Sequence, residues 1–264
     1  MKYRKIAATL LAASLAVSMA GCAEKTEISK TAGQAQTLAA AEYPQMAAYP
    51  DETAYVKADG SFDDEGFSKV YDAWWADKRA RRDIDMDREN VQSFVRASTG
   101  AMLESGNGGN FVYSPLNVYM ALSMLAECTD GDSRTQILSL LRENSLEDVR
   151  TQAKALWNAN YCADGAVTSV LASSVWLDDG VGYVQKTLDT LAQDYYASSF
   201  SGEMGSDSYN KALQSWLNEQ TGGLLKDQAS GLEFTPETVM ALATTIYYRA
   251  KWSQEFSKSQ TSED

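Results

Sequence analysis

Histidine is absent from this sequence, so the side chains that could do chemistry are carboxylates, hydroxyls and three thiols. Without histidine, neither a Ser-His-Asp or Cys-His nucleophile system nor a zinc site with histidine ligands can form. Cys22, Cys128 and Cys162 show no CxxC spacing. The 36 acidic residues follow no spacing that would pair two of them for acid–base catalysis. We therefore expect no enzymatic activity, no cofactor and no metal.

The first thiol lies at the end of an N-terminal targeting segment. Lys2, Arg4 and Lys5 make the start of the chain basic, and residues 6–20 form an apolar stretch that is too short for a usual membrane span. The small residues before Cys22 make this end similar to the lipobox of bacterial lipoproteins, in which the cysteine thiol receives a diacylglycerol group. By this resemblance, Cys22 is the lipidation site and residues 1–21 are a signal peptide. An ordinary cleaved signal peptide is the alternative.

The acidic balance of the chain limits its partners. The net charge is −13, and removal of residues 1–21, with three basic residues and no acid, gives −13 − 3 = −16. No nucleic-acid partner is expected, because phosphates are bound by clustered lysine and arginine. General adhesion to anionic lipid is also disfavoured. The membrane contact that we predict is the acylated Cys22, which would hold the protein in the cell envelope, on the outer side of a bacterial membrane.

Two segments separate Cys22 from the main body. Residues 22–41 are small and polar without a period, which predicts a flexible tether. Residues 42–84 form an aromatic-rich N-terminal extension with four rings on one helical face. The rings are Phe67, Tyr71, Trp74 and Trp75. We favour packing of this face on the main body over binding of a partner. The basic residues 78–82 are interpreted as a solvated helix end, with cleavage by a trypsin-like peptidase as the alternative.

The main body begins with helical patterns. Ser114-Pro115 starts an apolar helix, because Ser is a favourable N-cap and Pro is well tolerated at the first helical position. Gly131 is expected to break this helix. Ser133 and Gln136 then form a capping-box pattern for the next one.

Three segments of the main body have strand character. A short strand is predicted at residues 110–113 and a longer one at Val167–Leu177. The run Thr238–Tyr248 favours β-structure and lacks polar alternation, which is typical of a central strand covered on both faces. Helices followed by long strands predict a mixed α+β fold without the regular alternation of a doubly wound sheet.

Four blocks of the main body resemble the serpins, the suicide inhibitors of serine peptidases, and follow the family's order. They are Asn110 to Leu122, Gly131 to Ile137, Ala172 to Leu177, and Trp216 through Thr221-Gly222-Gly223 to Trp252. Four blocks in order and with compatible spacing are specific. The resemblance implies that residues 85–264 form the N-terminal part of the serpin fold, a helix-rich segment plus strands of a large central sheet.

The resemblance also implies site residues. Those of the shutter, beneath the point where the central sheet opens, would be Ser114, Pro115, Ser173 and Thr244. Trp252 would mark the breach, where the reactive loop first inserts. Ser173 and Thr244 stand where the family usually has asparagine, which alters the details of sheet opening. The sequence stops at Asp264, before the family's reactive loop, so the reactive bond is expected outside this chain.

Two functions follow from the resemblance. The first is a membrane-anchored inhibitor of serine-type endopeptidases, which acts in the full-length protein by loop insertion. Its partners would be secreted serine peptidases, with cysteine peptidases as a second class. The second is a non-inhibitory binding or structural lipoprotein with a serpin-like fold. For the remaining thiols, Cys128 and Cys162, two buried free thiols are favoured over one disulfide.

Overall fold

The computed structural model describes residues 35–82, 86–105, 109–110 and 112–252. Its strands and helices alternate irregularly along the chain. The strands are β1 (Gln36–Ala39), β2 (Cys162–Ala163), β3 (Val167–Asp178), β4 (Ala197–Gly202) and β5 (Met240–Ala250). The helices are α1 (Asp64–Arg82), α2 (Arg88–Ser105), α3 (Pro115–Cys128), α4 (Gly131–Leu141), α5 (Leu146–Asn160), α6 (Gln185–Asp194), α7 (Asp207–Gln220) and α8 (Lys226–Ala229), with a 3-10 helix at Glu52–Tyr55. The predicted mixed α and β fold is confirmed.

The sheet is organised around β3. This strand pairs antiparallel with β5 over its whole length, from Val167 opposite Ala250 to Leu177 opposite Met240. It pairs parallel with β4 on the other side, and the short β2 joins the beginning of β3. Strand β1 adds antiparallel to the outer edge of β4. The order is therefore β1-β4-β3-β5, with β3 buried among its neighbours.

The core holds the helices to this sheet through large side chains. Trp157 of α5 is fully buried and donates its indole N–H to the Leu171 carbonyl of β3 at 2.8 Å. Trp176 of β3 packs against Tyr209 and Trp216 of α7. The turn after α7 also approaches the sheet: Gly222 has φ +62°, and a Cβ there would lie 2.6 Å from the Tyr247 ring of β5. Only glycine fits this approach without strain.

Strand β1 lies inside the segment that the sequence predicts to be a flexible tether. Thr37 pairs with Phe200 of β4, and the Ala41 N–H donates to the Ser198 hydroxyl at 3.1 Å. The free backbone groups at the edge of β4 supply the partners that a short polar segment lacks by itself. Composition alone predicts flexibility here, whereas the sheet edge imposes a strand.

Some rings on the aromatic face of α1 are packed, and others are exposed. Trp74 is buried, with Tyr49 packed edge-on against it at 5.1 Å between ring centroids, while Tyr71 and Trp75 remain partly exposed. Phe67 contacts Tyr55 of the same extension. Trp74 is therefore buried by rings of the extension itself, and Trp75 is not covered. Much of this packing occurs within the extension rather than on the main body.

Two local predictions in the helical half are wrong. Helix α4 begins at Gly131, because the Asp130 carboxylate accepts the Gly131 N–H at 2.8 Å and caps the helix one turn before the predicted Ser133. In the predicted strand at residues 110–113, the described residues Asn110, Val112 and Tyr113 are not in a strand. No described strand lies beside them to form a ladder.

Strand β5 is less covered than the sequence predicts. Its first half is partly buried, but Ile246 and Tyr248 in its second half are exposed. Among the described residues, β5 pairs only with β3. A run of β-favouring residues does not distinguish a covered strand from one with a single neighbour.

The two thiols of the main body are both free. Cys162 is buried, as predicted, and Cys128 is exposed at the last position of α3, which corrects the prediction of two buried thiols. Within the described ranges, no helix is long and apolar enough to span a membrane.

Candidate functional site

Local residue types explain why α3 begins at the predicted site residues Ser114 and Pro115. Ser114 has extended backbone angles, and its hydroxyl accepts the Asn117 N–H at 3.3 Å, which caps the helix. Pro115 occupies the first helical position, where its missing N–H leaves no hydrogen bond unmade. The Ser-Pro pair therefore fixes where α3 begins and places Asn117 one turn into the helix.

Asn117 connects this helix start to the sheet. Its side-chain N–H donates to the backbone carbonyl of Thr244 in β5 at 3.4 Å. Thr244 lies directly opposite Ser173 of β3 in the antiparallel ladder. The structure therefore brings Ser114, Ser173 and Thr244 to one place where α3 meets β3 and β5, with Asn117 as the link.

Two polar atoms at this junction are buried without a hydrogen-bond partner among the described residues. They are the side-chain oxygens of Asn117 and Ser173. Most buried polar groups in proteins are paired, and each unpaired one costs about 1–3 kcal/mol. The contact between α3 and the two strands is consequently weaker than apolar packing of the same size would be.

The strand pair is held more firmly one residue further along β3. The Trp176 indole N–H donates to the Ser174 hydroxyl at 2.8 Å, and Ser174 in turn donates to the Ala243 carbonyl of β5 at 3.5 Å. The Tyr209 hydroxyl of α7 donates to the Leu177 carbonyl at 3.0 Å. Side chains around Trp176 thus tie α7 and both strands together, in contrast to the unpaired oxygens around Ser173.

Trp252 lies apart from these residues. It is 74% exposed, two residues after β5 ends, and the preceding Lys251 N–H donates to the Ala166 carbonyl at 2.9 Å. Counting 252 − 244 = 8 residues from Thr244, the separation along an extended strand is about 26 Å. Ser114, Pro115, Ser173 and Thr244 therefore lie together where α3 meets β3 and β5, and Trp252 lies apart from them beyond the C-terminal end of β5. The predicted lipidation site, Cys22, lies outside the described residues.

A second polar cluster, which the sequence does not reveal, joins the extension to the main body at Asp164. One carboxylate oxygen accepts from the N–H groups of Ala166 and Val167, at 3.1 and 2.7 Å. The other accepts from the Lys78 ammonium at 3.1 Å and from the Cys162 thiol at 3.2 Å. Lys78 itself lies over the Trp74 ring, 4.5 Å from its centroid.

The electrostatics of Asp164 follow from these donors. Burial alone would raise the pKa of its carboxyl group, but the hydrogen bonds from Val167 and Lys78 outweigh it and leave the pKa below its usual value. Burial, assisted by the contact with Asp164, raises the pKa of the Cys162 thiol. At neutral pH the cluster is therefore a carboxylate with one ammonium partner and a protonated thiol, which serves attachment rather than nucleophilic chemistry.

A third cluster lies within the main body and joins three helices. The Glu127 carboxylate at the end of α3 accepts from the Arg150 guanidinium of α5 and from the Tyr195 hydroxyl after α6, the latter at 2.8 Å. Burial and the nearby Glu127 raise the pKa of the Tyr195 hydroxyl. No group of three or more Cys, Asp or Glu side chains in the described part of the chain could hold a metal ion.

The family model described as "Serpin (serine protease inhibitor)" matches residues 89–264, and this chain belongs to the serpin family. Alpha-1-antitrypsin of Meriones unguiculatus is 26% identical over 179 residues, which cover 66% of this chain and 44% of the relative. The "probable non-inhibitory serpin-Z5" of Arabidopsis thaliana is 24% identical and covers 62% of this chain and 40% of its own length. The chain thus spans less than half the length of these curated relatives.

Solved structures support the same fold. Arabidopsis AtSerpin1 in its native stressed conformation matches with a TM-score of 0.54 and 22% identity, over 68% of this chain and 48% of that one. The thermophilic serpin tengpin in the native state matches with a TM-score of 0.53 and 19% identity, over 88% of this chain and 51% of that one. The fold is therefore part of the serpin fold. The family is described as one of serine protease inhibitors, and it also includes a relative named as probably non-inhibitory.

Sequence reasoning missed Asn117 and Asp164, as well as the Glu127 cluster. Asn117 was accessible in principle, because the third position after a Ser-Pro helix start is one turn away from the cap. Asp164 gave no comparable indication, since its partner Lys78 is 86 residues away in the sequence. Only the folded chain brings these two charges together.

Proposed function

We propose that this chain supplies the N-terminal part of a lipid-anchored serpin that inhibits secreted serine peptidases, with the inhibitory loop supplied by the whole protein. The observation that carries the proposal is that only one edge of β5 is paired within the described part of the chain. Along one edge it pairs with β3 over its whole length, and no described residue pairs with its other edge. That edge offers backbone N–H and C=O groups to a further strand.

The contacts beneath β5 favour the movement that this function needs. In the serpin mechanism, the serine of the peptidase attacks the reactive bond, an acyl ester forms and the new amine end leaves. The cleaved loop then inserts into the sheet and carries the peptidase with it, which distorts its active site before water can release the ester. Insertion at the free edge of β5 requires the sheet to shift against α3, and the unpaired oxygens of Ser173 and Asn117 weaken the contact between α3 and the sheet.

The anchor rests on the sequence around Cys22. Small residues precede this cysteine at the end of an apolar segment, as in bacterial lipoproteins. Acylation of Cys22 would keep the inhibitor on the outer side of the membrane, in the path of secreted peptidases. Serine peptidases are the expected targets, and cysteine peptidases are a second class to test.

The experiment is to read the gene beyond the codon for Asp264 and to express the whole protein with trypsin-, chymotrypsin- and elastase-type peptidases. The expected result is a 1:1 complex that survives denaturing electrophoresis, together with loss of peptidase activity. Cleavage of the protein without a stable complex would contradict the inhibitory function. Mass spectrometry of the envelope-bound protein tests the anchor separately, because it detects a diacylglycerol group on Cys22.

A second candidate function is binding without inhibition. The observation that favours it is the partly exposed aromatic surface of α1 at Tyr71 and Trp75, which the family mechanism does not use. A stable whole protein that captures a defined ligand through this surface, and that leaves every peptidase active, would support this alternative.

A further inference from the structure

The outer edge of the sheet, on the side away from β5, is lined by the N-terminal extension. Strand β4 pairs with the second half of β3 on this side, and β2 pairs with its beginning. Both must lie on the same side of β3, because β5 pairs along the whole of the other side. Residues 36–49 run past β4 and then β2, and we call these residues the edge cover.

The edge cover takes up backbone groups of both strands. At β4 it does so through the β1 ladder. At β2, the Ala163 N–H donates to the Met46 sulfur at 3.2 Å. Just after β2, the Asp164 carbonyl accepts the Tyr49 N–H at 2.7 Å. Polar groups at a sheet edge that would otherwise be open to another chain are therefore bonded within this one.

Between these two places, one ring of the edge cover fills the gap. Tyr43 packs against Tyr161, which precedes β2, and against Tyr196, which precedes β4, at 5.7 and 6.3 Å between ring centroids. The buried Trp157 ring lies 5.1 Å from the same tyrosine. The edge cover is thus fixed by side-chain packing as well as by backbone hydrogen bonds.

Beneath the edge cover, β4 has none of the features that protect the edge strands of natural sheets. Its six residues, Ala-Ser-Ser-Phe-Ser-Gly, include no charge and no proline. Its parallel ladder with β3 runs from Ala197 to Gly202 without a register shift. Edge strands usually carry lysine, proline or a bulge, or are very short, because a regular uncharged edge is a template for another chain.

The edge cover has the features that β4 lacks. Strand β1 has only four residues, and its register with β4 shifts between Thr37 and Ala39. Pro44 lies within the cover and Pro50 directly follows it, and the chain has only four prolines. A short, irregular strand followed by prolines is a poor template for further pairing. These residues lie outside the family match at 89–264, so they add an end to the sheet of the matched part.

We propose that the edge cover prevents a second copy of this protein from pairing with β4. Two uncovered β4 strands can pair antiparallel about a two-fold axis. One such register places Ser198 opposite Ser201 and Ser199 opposite Phe200, with no like charges facing each other. The product is a closed dimer in which both β4 edges are used. Neither the inhibitory function nor the lipid anchor is needed for this pairing.

The test disrupts β1 in the full chain with Thr37→Pro and Ala39→Pro, because proline cannot donate to a ladder. Sedimentation should show a discrete dimer, with a dissociation constant about tenfold or more below that of the parent chain, since several ladder hydrogen bonds are gained. The matched control is Gln45→Pro with Ala48→Pro, at exposed positions after β1, and should associate like the parent chain. Unchanged association of the β1 variant, or an equal increase in both variants, would overturn the proposal.

Hydrogen exchange identifies the edge that associates. In the β1 variant, the outward-facing amides of β4 should gain protection as the protein concentration rises. A gain at β5 in place of β4 shows pairing through the opposite edge and refutes the proposal. If α3 and α5 also lose protection, the main body has opened, and Ala41→Pro decides instead. This milder variant removes only the N–H that donates to Ser198, and it should form the same dimer at higher concentration. Its failure to do so counts against the proposal.

A peptide supplied in trans gives an independent readout. A synthetic peptide of residues 35–49 should return the β1 variant to the monomer, because it can occupy the vacant β4 edge. The same peptide with proline at positions 37 and 39 should have no effect. A dimer that persists in the presence of excess unmodified peptide would show that the β4 edge is not the interface.

Discussion

The main body at residues 88–252 holds two buried carboxylates, and they connect different parts of the chain. One of them reaches the N-terminal extension, which in the structure also includes β1 and covers residues 35–82. Glu127 connects three helices of one body through Arg150 and Tyr195. Asp164 connects a hairpin of that body to Lys78, which belongs to a segment outside the family match. A similar arrangement of charges therefore serves internal packing in one case and attachment of an added segment in the other.

The two clusters also differ in how much water they reach. The Arg150 side chain is 32% exposed, whereas those of Lys78 and Asp164 are 11% and 0% exposed. A cation that is left without its partner can be hydrated in the first case and much less so in the second. The attachment of the extension should therefore be the more sensitive of the two to loss of a charge.

The largest expected effect is that of Asp164→Asn. The amide keeps an oxygen for the N–H groups of Ala166 and Val167 but leaves the Lys78 ammonium buried without a counter-charge. We expect a loss of about 3–5 kcal/mol in the free energy of unfolding. Urea unfolding measures this loss, and hydrogen exchange should show that β1 and α1 lose protection before α3 and α5.

Two variants serve as controls for this prediction. Asp132→Asn, at an exposed position of α4, should leave stability unchanged within about 0.5 kcal/mol. Glu127→Gln should cost about 2 kcal/mol, because Arg150 reaches water, and should not affect protection of the extension. Equal loss of protection in α1 for the Glu127 and Asp164 variants would contradict the distinction between the two clusters.

Lowering the pH removes the same carboxylate charge reversibly, by protonating Asp164. The pKa of Asp164 is lower in the folded protein than in the unfolded chain, where aspartate has a pKa of about 3.9. Its contribution to stability is therefore complete above about pH 4 and is lost as the pH falls through the folded pKa. Protection of α1 should decline in this acidic window in the wild-type protein. It should respond less to pH in Asp164→Asn, which has no carboxyl group to protonate.

The next largest loss of stability is expected when the aromatic contact of Tyr43 is removed. Tyr43 packs at 5.1 Å from the Trp157 ring centroid and at 5.7 Å from that of Tyr161, so it fixes the extension to α5. Tyr43→Ala should cost about 3 kcal/mol, since a large ring leaves a cavity among other rings. Tyr183→Ala, at an exposed position, should cost much less. Similar unfolding midpoints for both variants would show that Tyr43 does not attach the extension.

The smallest effect is expected at the start of α3. Ser114→Ala removes the hydroxyl that caps the helix and should cost about 1 kcal/mol. Because Asn117 then loses the cap beside it, the hydrogen bond to Thr244 should also weaken. Protection of β5 amides near Thr244 should fall while that of β1 stays unchanged. A loss of protection in β1 would mean that the two regions are coupled more closely than their contacts indicate.

The sequence reveals the helices and strands of the main body better than it reveals the attachments. The Ser-Pro start of α3 and the long run of β3 depend on local chemistry, and both are found close to their predicted positions. Strand β1 and the exposure of Ile246 depend on which neighbour is present, and local residue types carry no such information. The Asp164 cluster escaped prediction for the same reason, since an aspartate before Gly165 is ordinary turn chemistry.

The rate at which the Cys162 thiol reacts with a reagent can report how often the extension detaches from the main body. Its thiol is buried and donates to Asp164, and its pKa is raised, so a thiol reagent should not react with it while the extension is bound. Reaction then requires a local opening, and its rate measures how often residues near Lys78 detach. Burial and the neighbouring Glu127 raise the pKa of Cys128 to about 11, so the reference rate for a freely reacting thiol is taken from the unfolded chain with the same reagent. One labelling experiment therefore reports the opening free energy of a single attachment in the otherwise folded protein.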